Sequence, residues 1–320
     1  AANDVRVKDL LTHHSGWQAD LRFTGSNRDD GIGLYVEAMA AAQRIAPAGQ
    51  YFSYGKSNGV LAGHLVAQVT GLPFEAALRE LALSPLSMDH SSFLNSGPGS
   101  LAVVDGHTRT ENGIATVDPF HSSRAYAPVD GLFTNLNEVL KFASFHAFAS
   151  TPPTFISANM REIMHRPLDS GGSVGPLRAD AMGMNWMIAE IGGTRVSMQT
   201  GTDRGQSAMM AVVPSEKFAV VVLANADFAQ ALALEVGFLA MELFTGLHPS
   251  TSYAVSRPDA ELEKLVGTYT MADGTRLRIT RDPGGLRLEA AGANEGVADL
   301  SGALTFISPL TASITTPETV

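Results

Sequence analysis

Within the stretch FSYGKSN, residues 52 to 58, Ser53 and Lys56 stand three positions apart. A serine and a lysine at that spacing share a turn if a helix begins there, which is the arrangement of an acylating nucleophile. A serine hydroxyl is a weak nucleophile until a neighbour takes its proton. Two readings follow: a nucleophile pair made of Ser53 and Lys56, or a different element of the same catalytic machinery, formed by Tyr54 and the residues after it. A metal centre is not indicated. His13 and His14 are adjacent, and neighbouring histidines seldom converge on one ion without helical spacing or further ligands. His107, His121, His146 and His165 are scattered with no ligand cluster around them.

The elements that would position these residues can be read from composition and periodicity. The chain has 320 residues and 45% hydrophobic content, enough to bury a substantial core as one large domain or two. Its 32 acidic against 22 basic residues give a formal charge of −10, which works against non-specific attraction to nucleic acid or anionic lipid. The expected partner is a small-molecule or peptide substrate. The chain has no cysteine, so thiol chemistry and disulfides are excluded, and an exported or a cytosolic setting is equally permitted. The most apolar run, ALALEVGFLAMELFTGL at 231 to 247, carries Glu235 and Glu242 and reads as a packed helix rather than a membrane span.

Residues 5 to 11 show helical spacing and deliver the loop THHSG; 32 to 45, 58 to 71 and 137 to 148 read as further helices, the last with Asn135 or Asn137 as N-cap. PFEAALRELAL continues the helical run with Pro73 at its first turn. Residues 96 to 128 shift to Gly, Pro, Ser, His and Asp and predict a long irregular excursion. TRVSMQ, SAMMAVV and FAVVVLANA predict an antiparallel set of strands, the third buried on both faces, with the helix at 231 to 247 packed on it. Residues 249 to 258 read as a linker. From 259 to 320 the alternation in TRLRITR and LRLEA, separated by DPGG, predicts a β-rich C-terminal domain, partial in extent and lipocalin-like.

Five segments then occur in order: LLTHHSGW (10 to 17), APAGQYFSYGKSNGVLAGHLVAQVTGLPF (46 to 74), APVDGLFTNLNEVLKFA (127 to 143), MGMNWMI (182 to 188) and QTGTDRGQSAMMAVVPSEKFAVVVLANAD (199 to 227). Together they resemble the serine β-lactamase and D,D-peptidase superfamily, specifically its class C β-lactamase-related esterases and peptidases, over residues 5 to 248. The resemblance implies an α/β sandwich of α+β type, an antiparallel sheet flanked by helices beside an all-helical lobe, spanning residues 1 to 248. It also implies three site elements: a Ser-x-x-Lys at a helix start, a Tyr-x-Asn loop and a Lys/His-Thr-Gly strand.

Carried over residue by residue, the resemblance places Tyr54 in the base position, with Lys56 where asparagine is usual and Ser53 just before the motif. Gln199, Thr200 and Gly201 take the place of the Lys/His-Thr-Gly strand, and Thr202 that of the backbone oxyanion donor. His14 replaces a threonine, Trp17 borders the substrate cleft, and Gly205 serves the turn between two strands. In relatives the Ser-x-x-Lys lies several tens of residues before the segment matching LLTHHSGW, so the nucleophile is expected upstream of these 320 residues. Ser53 remains the alternative nucleophile. Glutamine carries no charge, so Gln199 turns the expectation from β-lactam hydrolysis toward an esterase or D-amino-acid peptidase, with the positive charge moved from position 199 to Lys56.

No cofactor is implied. The setting is bacterial, either periplasmic and extracellular or cytoplasmic. In relatives the preceding segment adds a helix and strands to the sheet, so a chain without it is expected to expose an apolar edge and to self-associate. The competing expectation is a binding or regulatory pseudoenzyme with the same fold.

Overall fold

The computed structural model describes residues 4–18, 20–21, 23, 25–42, 44–93, 103–117, 123–148, 156–174, 177–203, 205–249, 258–270, 274–283, 285–291, 302–308 and 311–315. The chain divides into two compact units, Ala1–Pro249 and Ser250–Val320. His121, Arg204 and most of the expected linker lie outside the described residues.

The first unit opens with a short helix, α1 (Val7–Leu11), and continues through α2 (Gly31–Ala38), α3 (Lys56–Thr70) and α4 (Phe74–Leu78). Where the spacing predicts one helix over 32 to 45, α2 tightens into a 3₁₀ turn at Met39–Ala41 and stops. α3 starts at Lys56 behind the extended residue Gly55 and ends at Gly71, whose φ of 70° closes the helix in the left-handed region. α4 runs on as a π-helical turn over Arg79–Leu83. β1 (Ser92–Phe93) leads to a hairpin, β2 (Gly106–Thr110) with β3 (Gly113–Val117), inside the stretch expected to be irregular. β2 is mostly polar and β3 carries Ile114 and Val117 on opposite faces, so neither strand shows an apolar alternation.

After α5 (Ala127–Asp130) and β4 (Leu132–Phe133), α6 (Leu136–Ala147) begins behind Asn135, whose side chain accepts from the Glu138 amide. α7 (Ala158–Met164) precedes short strands β5 (Asp169–Ser170), β6 (Ser173–Val174), β7 (Leu177–Arg178) and β8 (Ala181–Met182). β9 (Met187–Ile191), β10 (Thr194–Asp203), β11 (Gln206–Val213) and β12 (Phe218–Ala224) follow, and α8 (Gln230–Thr245) closes the unit. The main sheet is antiparallel with strand order β12-β11-β10-β9-β8-β5.

Alternation along β11 divides the core. Met209, Ala211 and Val213 pack with Leu234, Phe238 and Met241 of α8, while Met210 and Val212 face Ala143 and Ala147 of α6. A third cluster, around Tyr35, Val60, Phe74 and Ala127, forms the helical lobe. β12 corrects the expectation of a strand buried on both faces: it stands at the end of the sheet, and none of its residues is fully buried. Helix Asp227–Thr245 is long and apolar enough to cross a membrane by length and composition. Its residues Ala233, Leu234, Gly237, Phe238 and Met241 are buried.

The second unit has a short helix, α9 (Asp259–Glu263), and an antiparallel meander in sequence order: β13 (Gly267–Thr270), β14 (Arg276–Asp282), β15 (Gly285–Ala291), β16 (Gly302–Ser308) and β17 (Thr311–Thr315).

Candidate active site

One end of the main sheet, the start of α3 and the chain from α5 to α6 enclose a cavity of about 1100 Å³. Tyr54, Gly55 and Lys56 form one wall; Gln199, Thr200, Gly201 and Thr202 at the end of β10 form another. Three backbone features bring the walls together. Gly55 is extended, so Lys56 enters the helix directly while Tyr54 stays outside it. Gly59 and Gly63 on α3 lie against α5: a Cβ on Gly59 would meet Val129 at 2.3 Å, and one on Gly63 would meet Pro128 at 2.3 Å. This close approach sets Asp130, the last residue of α5, beside Lys56. At the sheet end, Gly205 has φ 77° and lies against the backbone of Gly106, so position 205 has no room for a side chain.

Lys56 Nζ donates to Asp130 Oδ2 at 2.6 Å and lies 5.7 Å from the centre of the Tyr126 ring. Burial works against its charge, but the Asp130 hydrogen bond and charge, with Asp203 and Asp20 further off, hold the ammonium above its ordinary pKa. Burial, reinforced by Asp203 and Asp20, keeps the Asp130 carboxyl above the ordinary carboxylate range despite the ammonium. Tyr54 is 39% exposed, and its pKa is pushed up, first by burial of the phenol and then by Asp130, with Lys56 opposing. Lys56 therefore acts on Tyr54 in the expected direction, but its neutralisation by Asp130 and the burial of the phenol outweigh it.

His13 packs its ring on that of Tyr54, centroids 4.4 Å apart. Its Nδ1 accepts from the Asn58 side chain at 3.3 Å and, at 3.4 Å, from the Gly55 amide. Burial lowers its pKa to about 4. His14 is fully buried and closes the loop, its Nδ1 donating to Thr12 O at 2.7 Å and Nε2 meeting Ser170 Oγ at 3.0 Å. On the opposite wall, Gln199 Nε2 donates to Asn185 O at 2.9 Å and its Oε1 accepts from the Thr200 amide at 3.1 Å. Thr200 Oγ1 donates to Ala208 O and accepts from Gln230 Nε2. The Gln199 side chain thus ties the strand to the neighbouring loop through its donor and takes the Thr200 amide on its oxygen, the second of which a lysine could not do.

The structure gathers Tyr54, Lys56, Gln199, Thr200, Gly201 and Thr202 around one cavity. Two expected residues are placed elsewhere. Ser53 precedes the helix and is not among the lining residues; its amide donates to His13 O at 2.8 Å. Trp17 is also outside the lining, bridged through its backbone to Arg44 and packed against the helical lobe. Asp130, Asn185 and Gln230 are among the lining residues that motif reading did not single out, and His13, read there only as a neighbour of His14, lines the cavity too. Asp130 sits in the quoted segment APVDGLF, where its charge among apolar residues was the available signal. Among the described residues no three His, Asp or Glu side chains come together to hold a metal.

The Beta-lactamase family model matches residues 1–238. The chain belongs to the Beta-lactamase family. Penicillin-binding protein 4 of Amycolatopsis lactamdurans is 24% identical over 287 residues, covering 85% of this chain and 74% of that protein. Among solved structures, SurE superposes with a TM-score of 0.72 at 22% identity over 99% of this chain and 72% of that one. The D-amino acid amidase from Ochrobactrum anthropi SV3, complexed with L-phenylalanine amide, gives a TM-score of 0.60 at 16% identity over 73% and 70% of the two chains. At these identities the structural likeness shows the β-lactamase and penicillin-binding-protein fold. This Beta-lactamase chain is thus hydrolase-related, and its mixed helix and antiparallel-sheet architecture is that of the superfamily.

Proposed function

We propose that the cavity is the substrate-facing part of an acyl-transfer site that hydrolyses an ester or amide, with D-amino-acid amides or peptides favoured over β-lactams. The observation that carries this reading is the meeting of Tyr54 and Lys56 with the Gln199-Thr200-Gly201-Thr202 strand end around one cavity. The lining offers no cation at position 199 for a substrate carboxylate, and the likeness to a D-amino acid amidase fits a substrate that has an amide in place of that carboxylate. In the proposed reaction a serine Oγ attacks the carbonyl carbon and gives up its proton to Tyr54, whose phenol must first be ionised by the lysine that accompanies the nucleophile, against the burial and the Asp130 charge that hold it protonated here. The tetrahedral oxyanion is held by the Thr202 amide; the bond to the leaving group then breaks as Tyr54 returns the proton to it. Water releases the acyl group by the same steps in reverse.

Among the described residues Ser207 lines the cavity and donates to Ala226 O at 2.7 Å, and Ser53 is not in the lining. We therefore assign the role of nucleophile to neither Ser207 nor Ser53. A second reading is supported by the raised pKa of Tyr54: a phenol held protonated suits a binding protein that keeps the fold without the chemistry. Labelling with a fluorescent fluorophosphonate, followed by mass mapping, separates the readings when applied to this chain and to the full gene product. The expected result is label on a serine outside these residues and none on Ser53. Label on Ser53 would make it the nucleophile, and no label on either protein would favour the binding reading.

A further inference from the structure

Each residue of the segment 53–55 is touched by one residue, His13. The His13 carbonyl accepts the Ser53 amide at 2.8 Å, its ring covers Tyr54 at 4.4 Å, and its Nδ1 accepts from Gly55 N–H at 3.4 Å. The same nitrogen accepts from Asn58 Nδ2 at 3.3 Å, in the first turn of α3. Two N–H donors converging on Nδ1 require that nitrogen to be unprotonated, which places the imidazole proton on Nε2. His13 is 5% exposed and stands at φ 58°, a left-handed conformation in which histidine is enriched. Its Nε2 is buried without a hydrogen-bond partner, with the Asn185 side chain nearby. Asn185 in turn receives the Gln199 amide on its carbonyl. One buried imidazole therefore stands between the two walls of the cavity.

We propose that His13, as the neutral imidazole protonated on Nε2, is the positioning residue for Tyr54, fixing both the ring and the backbone that turns it toward the cavity. The catalytic meaning of this placement rests on Tyr54 being the proton acceptor; the placement itself does not. His13 touches no reacting atom and acts through Tyr54 alone. The arrangement needs the unprotonated Nδ1, because an imidazolium would turn a donor toward Gly55 and Asn58.

The test reads Tyr54 and His13 directly by NMR on the 320-residue chain, with ¹⁵N-histidine and ¹³Cζ-tyrosine labels assigned through His13→Asn and Tyr54→Phe. In the unaltered chain the His13 nitrogens should report Nδ1 unprotonated and Nε2 protonated, with cross-relaxation between the two rings. His13→Asn keeps an acceptor near the Nδ1 position and tolerates the left-handed backbone but removes the ring, so the Tyr54 phenol should titrate lower, toward its ordinary 10.0. His13→Phe keeps a ring and removes the acceptor: Tyr54 should stay covered while the Gly55 amide exchanges about fivefold faster, the equivalent of one net hydrogen bond. A proton on Nδ1 in the unaltered chain overturns the proposal even if neither variant folds. So does an unchanged Tyr54 titration in folded His13→Asn, or unchanged Gly55 exchange in folded His13→Phe. None of these readouts involves turnover, so failure of the acyl-transfer reading would show separately, in the labelling experiment.

Discussion

Asp130 determines how much use Lys56 is to Tyr54. The carboxylate takes the ammonium at 2.6 Å and adds its own negative charge against ionisation of the phenol, so both of its effects raise the Tyr54 pKa. Asp130→Asn removes one and weakens the other, and the Tyr54 phenol is expected to titrate lower. Lys56→Ala, which removes the opposing cation, is expected to move it higher. Titration of ¹³Cζ-labelled tyrosine in both variants checks the pair, and a shift of the same sign in both would show that burial alone governs the phenol. Position 56 was legible in the sequence because the motif around it is local. Its partner lies 74 residues away, and no periodicity connects the two. His13 was equally hidden: beside His14 it suggests a metal or a loop, and only the turn that lays its ring on Tyr54 shows what it holds. Trp17 failed in the opposite way. Its nearness to the motif suggested the cleft, but the backbone bridge to Arg44 carries it to the helical lobe.

The packing of α3 on α5 is what delivers that ion pair, and it depends on the absence of side chains at Gly59 and Gly63. Propensity alone favours Gly63→Ala by about 1 kcal/mol in a helix interior. In this helix the added methyl would meet Pro128 Cγ at 2.3 Å and Cβ at 2.5 Å, and overpacking of that kind costs about 1–3 kcal/mol. Overpacking should win because the proline ring is rigid, so Gly63→Ala is expected to lower stability in urea denaturation. Gly33 in α2 supplies the control: nothing lies within 4 Å of its Cβ position, and Gly33→Ala is expected to raise stability by up to about 1 kcal/mol. Equal signs for the two variants would sink the argument. Elements were readable where a local rule set them, as at the Asn135 cap of α6 or the alternation of β11. The valine run of β12 meets α6 and α8, yet its residues stay only partly buried, short of the full burial expected from composition. Its place at the end of the sheet depends on strand order, which composition does not encode.

Among the described residues of the first unit, His13, His146 and His165 are buried with lowered pKa values, and together they set an acid limit on stability. His13 sits at about 4, and His146 and His165, whose Nδ1 and Nε2 approach to 2.9 Å, at about 3 and about 4. In each case burial comes first among the causes; the charge of Arg161 also bears on both members of the pair, Arg195 on His165, and each ring's neighbouring histidine on His13 and His146. Phe142, Phe145 and Trp186 pack around the pair and leave little room for water. Unfolded histidine titrates near 6.5, so below that pH the unfolded chain binds protons that the native chain refuses. Stability is therefore complete above about pH 6.5 and falls as pH drops toward 4, by about 2 kcal/mol per histidine at pH 5. Carboxylates whose pKa is lowered by ion pairs, such as Glu138 with Lys141, add their losses only at still lower pH, so the first part of the fall belongs to histidine. Urea denaturation of the unaltered chain between pH 7 and pH 5 should show this slope. His146→Phe, which keeps an aromatic ring in the cluster but cannot be protonated, should make it shallower by about one proton. A slope unchanged in that variant would mean that the cluster admits water and already shares its protons with solvent.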